Sequence, residues 1–291
     1  MLDLSHIPNS QQDINIFYAN GSAWQTWQKP RKCNYVYIMC IGGVGGGAGG
    51  AGSSFDTVGG NGGGSGAVSR VLYNAQILPD RLYIQVGLGG AGGIGATIAN
   101  GNGSNGSNGT RSVVTLLPLI AAQNTVAISG NQAAVGGRGD STGLPSNGET
   151  SSSQTVATFY TLGNLVSTAG QASVNMGLVS DVNPLTSQIT CAGAGFGINI
   201  AGTSISPPIP SAFNGITAGN GGNGFLSWKP FYSLGGGSGG ALLGSNGGNG
   251  GNGGIGSGGG AGGSATITLG NGLVAGNGGR GGDGLVIIIS F

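Results

Sequence analysis

The sequence predicts an all-β protein: sandwich-like strands carrying a packed bundle of polyglycine II helices, with no significant α-helix. Three observations lead there. Glycine supplies 69 of the 291 residues, several times its ordinary share. The glycine tracts keep a period of three. Between them lie short runs rich in β-branched and aromatic residues.

The period is clearest at 246–263, NGGNGGNGGIGSGGGAGG. Related tracts sit at 42–52, 58–66, 88–95, 220–224, 234–240 and 277–284, and 102–110 reads Asn-Gly-Ser, Asn-Gly-Ser, Asn-Gly-Thr. A flexible linker has no reason to keep register, whereas a threefold extended helix repeats each face every third residue. Collagen is excluded, because 246–263 contains no proline. Ordering each residue costs about 1–2 kcal/mol, and glycine loses the most. Backbone hydrogen bonds return roughly 0.5–1.5 kcal/mol each. A lone tract is therefore a linker, while several packed side by side form a bundle. Their number and shared period predict the bundle.

The strands follow in order. CNYVYIMCI (33–41) is apolar on both alternating faces, as a central buried strand is. AVSRVLY (67–73), RLYIQV (81–86), TVAIS (125–129), TVATFYTL (155–162) and ATITL (265–269) alternate or carry β-branched residues. The chain closes on GLVIIISF (284–291). No segment joins a 3.6-residue period to good helix formers. Strands run directly into glycine tracts, so both belong to one unit. The predicted organisation is an N-terminal attachment segment (1–32) and a glycine-rich β/polyglycine domain (33–291), with 111–216 as an insertion or second lobe.

Composition narrows the function. Nine basic and eight acidic residues leave a net charge of +1, too little for a partner that must be neutralised, so nucleic acid is excluded. The start, MLDLSHIPNS, has no basic or apolar leader pattern. The longest apolar run, 285–289, is far short of the ~20 residues of a membrane span, so no membrane insertion is expected. The expected product is soluble and made in a cytoplasm. Cys33 and Cys40 on one extended strand would lie roughly 23 Å apart, too far to bridge. Three buried thiols, Cys33, Cys40 and Cys191, are expected.

Chemistry-bearing motifs are scarce. G-x-G-x-x-G arises here by arithmetic, and no lysine follows a glycine as a phosphate loop requires. The one histidine is His6, and the carboxylates are scattered. No catalytic residue, cofactor site or metal site is assigned, and no enzyme is expected. Arg138-Gly139-Asp140 and the sequons at Asn20, Asn102, Asn105 and Asn108 read as ordinary turn and tract residues.

The aromatics are more specific. Trp24 and Trp27 precede Lys29-Pro30, where they either cap the core or serve attachment. Trp228, Phe231 and Tyr232 lie between two glycine tracts, and exposed aromatics of this kind anchor binding. Phe213 ends SISPPIPSAF (204–213), whose prolines stiffen its path. These four are the candidate receptor contacts.

W-x-x-W-x-K-P (24–30), the strand entering IGGVGGGAGG (41–50), GGNGGGSGA (59–67), LPDRLYIQVGLGGAGG (78–93) and the ending GNGGRGGDGLVIIISF (276–291) resemble the glycine-rich domain of phage tail-fibre and adhesin proteins. The resemblance covers about half the chain, at both ends. It implies a virion surface protein in which polyglycine helices form a rigid sandwich whose connecting loops touch the host receptor. On this reading the chain is a bacteriophage fibre or spike component. Its partners are other virion proteins and a host cell-surface glycan or outer-membrane protein. The alternatives are a capsid decoration or minor capsid protein without receptor binding and, more remotely, a cellular glycine-rich matrix protein. A homotrimer would suit a fibre, although no residue fixes that number.

Overall fold

The computed structural model describes residues 13–53, 60–99, 101–129, 163–168, 196–197, 219–229, 231–240, 245–266 and 272–291. Among them there is no α-helix, only two single 3-10 turns at Ala75–Ile77 and Ala122–Asn124. The strands of the first half are β1 (Asp13–Tyr18), β2 (Gln25–Gln28), β3 (Tyr35–Ile41), β4 (Gly52–Ser53), β5 (Val68–Asn74), β6 (Arg81–Gln85), β7 (Val113–Thr115) and β8 (Thr125–Ile128). Those of the second half are β9 (Gly163–Thr168), β10 (Phe196–Gly197), β11 (Leu226–Trp228), β12 (Phe231–Ser233), β13 (Ala265–Thr266) and β14 (Leu285–Ser290).

The first sheet is antiparallel, in the order β1-β14-β3-β5-β9. β3 takes the central place that its two apolar faces require. Val36, Ile38 and Cys40 enter one core, whereas Met39 and Ile41 enter another. The last strand, β14, pairs with β3 along its whole length, Leu285 opposite Ile41 and Ser290 opposite Val36. The second sheet, β2-β6-β7-β8, covers one face of the first. Trp27, Leu82, Ile84, Val114 and Val126 meet Val36, Ile38, Val71, Tyr73, Val286 and Ile288 in the main core. The hydroxyl of the buried Tyr73 donates to the Val126 carbonyl at 2.5 Å and ties the sheets together. The alternation of 81–86 is realised, with Leu82, Ile84 and Val86 buried and Tyr83 and Gln85 half-buried.

The other face of the first sheet carries the second core. Met39, Ile41, Val68, Leu285, Ile287 and Ile289 are buried there, with Leu226, Phe231 and Ile255 packed on them. Of the expected attachment segment 1–32, residues 1–12 lie outside the described residues, and 13–32 supply an outer strand to each sheet, β1 and β2. Within 111–216, β7 and β8 belong to the second sheet and β9 to the first. The expected strand 155–162 lies outside the described residues. Cys33 precedes β3 and is half-buried rather than buried, Cys40 is buried, and both are free thiols; Cys191 lies outside the described residues.

The glycine tracts form extended rods: rod 1 (42–52), rod 2 (60–66), rod 3 (87–96), rod 4 (101–110), rod 5 (219–224), rod 6 (234–240), rod 7 (246–254), rod 8 (256–265) and rod 9 (274–284). Their backbone hydrogen bonds run outward in threes. In rod 7, Gly247, Gly250 and Gly253 donate to Val274, Asn277 and Arg280 of rod 9, while Gly248, Gly251 and Gly254 donate to Gly240, Gly237 and Leu234 of rod 6. The third set, Asn249 and Asn252, donates to side-chain oxygens of rod 5. Each third residue thus addresses the same neighbour, which is the signature of a threefold helix. The period read from the sequence is a packed structure.

The pairings set the rods in two rows: 3-9-7-5 lies on 4-1-8-6, with rod 2 against rods 1 and 8. Rod 1 is the hub. Gly43, Gly46 and Gly49 donate to rod 4, Val44, Gly47 and Gly50 to rod 9, and Ala48 to rod 2, while its carbonyls accept from rods 3 and 8. Glycine is required by the spacing. A Cβ on Gly260 would run into the carbonyl of Gly237, because rods this close leave no room for a side chain between them.

Strand and rod meet at a buried serine. Ser112 Oγ donates to the Ile41 carbonyl at 2.6 Å and accepts from Gly87 N–H at 2.9 Å. Its own N–H donates to Ser129 Oγ at 2.9 Å. These contacts join the ends of β3 and β6 to the bases of rods 1 and 3, so the bundle continues the sandwich without a hinge.

Candidate functional site

Three surfaces follow from this architecture. The first is the aromatic hairpin. Rod 5 runs into β11 and β12 runs into rod 6, so the hairpin stands at the sandwich end of the bundle. β11 and β12 pair antiparallel with Trp228 opposite Phe231, and their rings lie 5.6 Å apart. Phe225 meets Tyr232 edge-on at 6.3 Å. The hairpin has a core to fill, because Phe231 and Leu226 pack against the back of the first sheet. What it leaves outside is Trp228, 43% exposed, and Phe225, 52% exposed. Tyr232 is half-buried. Phe225 was not singled out from the sequence; the signal was its place at the last residue before a strand, just beyond a glycine rod. Phe213, His6 and Arg138-Gly139-Asp140 lie outside the described residues.

Trp24 is half-buried, and Trp27 sits in the main core at 2% exposure. Its indole N–H has no partner there. Nearby, Lys29 Nζ donates to the carbonyls of Ala75 and Leu78 at 3.1 and 2.6 Å and lies 3.4 Å from the Asp80 carboxylate.

The second surface is the far end of the rods. Rods 1 and 3 leave β3 and β6, and rods 2, 4, 5 and 9 return to strands, so residues near 52, 96, 101, 219 and 274 share the end away from the sandwich. Ala96, Ala265 and Ala275 form a small core there, with Ala99 and Leu273 against it. Around it Ile94, Ile98 and Val274 are exposed.

The third surface is a polar face made by asparagine at every third residue. Asn220 and Asn223 Oδ1 accept from Asn249 and Asn252 N–H, both at 2.8 Å. Asn246, Asn249 and Asn252 Oδ1 accept in turn from Val274, Asn277 and Arg280 N–H at 2.8–2.9 Å. Asn277 and Asp283 accept from Gly95 and Gly89 of rod 3. On rod 4 the hydroxyls of Ser104, Ser107 and Thr110 accept from Ile94, Ala91 and Leu88. On rods 3, 7 and 9 these outward N–H groups, with no further rod to meet, are satisfied by a neighbour's side chain. The row breaks opposite Gly92, where the register brings Arg280. A guanidinium cannot accept a hydrogen bond, and Arg280 pairs with Asp283 instead. The Asn-Gly-Ser triplets are thus structural, with Asn105 and Asn108 exposed on rod 4.

Among the described residues no group of three His, Cys, Asp or Glu could hold a metal, and no helix is long and apolar enough to cross a membrane. Burial pushes the Cys40 thiol up to about 12. It also raises the Tyr37 and Tyr73 hydroxyls.

The sequence model of a family described as a glycine-rich domain matches residues 19–290. That span takes in every rod and every strand of the two sheets except β1. No curated protein matches the chain.

Proposed function

The chain belongs to the glycine-rich domain family, and we propose that it is a bacteriophage virion surface protein, a fibre or spike component that binds a host-cell receptor without catalysing a reaction. One observation carries this reading: nine rods locked to each other at every third residue and joined to a sandwich without a hinge. Such a lattice has almost no side chains of its own to recognise anything, and what it does well is hold loops in fixed positions.

The contact residues on this reading are Trp228 and Phe225, backed by Phe231 and Tyr232. Two exposed rings on a hairpin that continues a rod bearing Asn220 and Asn223 suit a sugar ring, whose apolar face stacks and whose hydroxyls take hydrogen bonds. The receptor is therefore a cell-surface glycan or a glycan-bearing outer-membrane component. The rod tips at Ile94, Ile98 and Val274 are the second place where contact would fall.

Labelled full-length protein, titrated onto a panel of bacterial cells, tests this. Saturable binding that Trp228→Ala weakens at least tenfold, with folding unchanged, supports the hairpin. Loss on Ile98→Lys instead moves the contact to the rod tips. Absence of saturable binding on every cell type overturns receptor binding. The second reading, a capsid decoration or minor capsid protein, is favoured by the open outer strand β1. Antibody gold spread over virion shells rather than at fibre tips selects it.

A further inference from the structure

We propose that β1 is the interface of a homodimer, in which two copies join their first sheets edge to edge across a twofold axis. The inference does not rest on the receptor reading. Among the described residues β1 is the outer strand of the first sheet, paired on one side only, with β14. Half of its backbone donors and acceptors therefore face away from the sheet. Natural outer strands are guarded by lysine, proline, a bulge or brevity. β1 reads Asp-Ile-Asn-Ile-Phe-Tyr and pairs with β14 in unbroken register over six residues. Its only charge is Asp13, at the first residue.

Its side chains point the same way. Ile14, Ile16 and Tyr18 are opposite Ile289, Ile287 and Leu285, so they share the face of the second core. Those β14 residues are buried, but the cover stops one strand short: Ile14 is 51% exposed, Ile16 38% and Tyr18 51%. Tyr35, on the same face of β3, is 41% exposed and its ring lies 5.7 Å from that of Phe291. Together they extend the second core into solvent.

The occupant is a second copy because the strand is self-complementary. A twofold axis normal to the sheet pairs β1 with itself antiparallel and preserves faces, so residues of equal parity must meet. Centring the axis on Ile16 sets Ile16 opposite Ile16, Ile14 opposite Tyr18 and Asn15 opposite Phe17. The apolar stripe then runs unbroken across both copies. Asp13 falls opposite the position of Ala19, so the two carboxylates do not meet. The interface is isologous, the commonest closed symmetry, and the five-stranded sheet becomes one of ten strands.

The test is the mass of the full-length chain in solution, by sedimentation equilibrium across 1–100 µM (~1–100 µM spans ordinary dimer constants). A dimer is expected for the natural chain. Ile16→Lys, which sets two ammonium groups face to face, is expected to give a monomer with an unchanged circular dichroism spectrum and at least a hundredfold weaker dimer constant. Ile98→Lys, at the rod tips, is expected to stay dimeric. A natural chain that is monomeric throughout overturns the proposal whatever the variants do. So does a dimer, trimer or larger assembly that folded Ile16→Lys leaves intact.

Discussion

Asn249 Oδ1 accepts the backbone N–H of Asn277 at 2.8 Å, joining rods 7 and 9 across 28 positions of sequence. Asn249 N–H itself donates to Asn220 Oδ1, so one residue type closes the bundle surface on both sides. A surface rod has an outward N–H with no rod beyond it, and asparagine is short enough to supply the missing carbonyl from the next rod.

Asn249→Ala is therefore expected to cost about 1 kcal/mol, read as a lower thermal midpoint, with faster hydrogen exchange at the Asn277 amide. Arg280→Asn should act in the opposite sense. It places an acceptor opposite Gly92 N–H and gains about 1 kcal/mol, because the half-exposed Arg280–Asp283 pair that it removes contributes little.

Inside the lattice the expected losses are larger. Gly260→Ala drives a methyl into the Gly237 carbonyl, and rods bonded on several sides cannot move apart singly. A loss of roughly 3 kcal/mol or more is expected by denaturant titration, at the upper end of overpacking costs. The same change at Gly21, whose Cβ would meet nothing, is expected to cost only the strain of its positive φ, 57°, about 1 kcal/mol.

Ser112→Ala tests the joint between sandwich and bundle. It leaves Gly87 N–H without its acceptor and takes a donor from the Ile41 carbonyl in a fully buried place. About 2–3 kcal/mol should be lost, while Ser112→Thr, which keeps the hydroxyl, should recover part of it.

Alkaline pH should unfold the protein through its main core. The Cys40 thiol has an ordinary value of 9.0 and is raised by burial to about 12 in the fold. The unfolded chain therefore releases this proton first. Stability is intact below pH 9 and falls between 9 and 12, by at most about 1.4 kcal/mol per pH unit. The raised tyrosines Tyr37 and Tyr73, with ordinary values of 10.0, extend the fall above pH 10. Cys40→Ala should flatten the decline between pH 9 and 10 in equilibrium denaturation.

Much of this was legible in the sequence. The run 33–41, apolar on both alternating faces, could only be a central strand, and its residues 35–41 form the central β3. The triplets of 246–263 announced a threefold helix because nothing else keeps that register without side chains. Asparagine was not legible: the same letter serves turns, sequons and rod surfaces, and only its neighbour 28 residues away distinguishes them. Trp228 and Phe231 looked alike between glycine tracts, yet Phe231 turns inward onto the back of a sheet that the local sequence does not reveal. β1 also escaped notice, since DINIFY has too few apolar residues on its inner face to stand out before β14 is placed beside it.

The central claim is that the glycine tracts are mutually bonded threefold rods. The most direct measurement is residue-resolved hydrogen exchange of the amides from Gly247 to Gly254, read by nuclear magnetic resonance. The account predicts protection of orders of magnitude at Gly247, Gly250 and Gly253 and at Gly248, Gly251 and Gly254 alike, since each set donates to a different rod. Exchange at the rate of an unstructured chain in either set would contradict it.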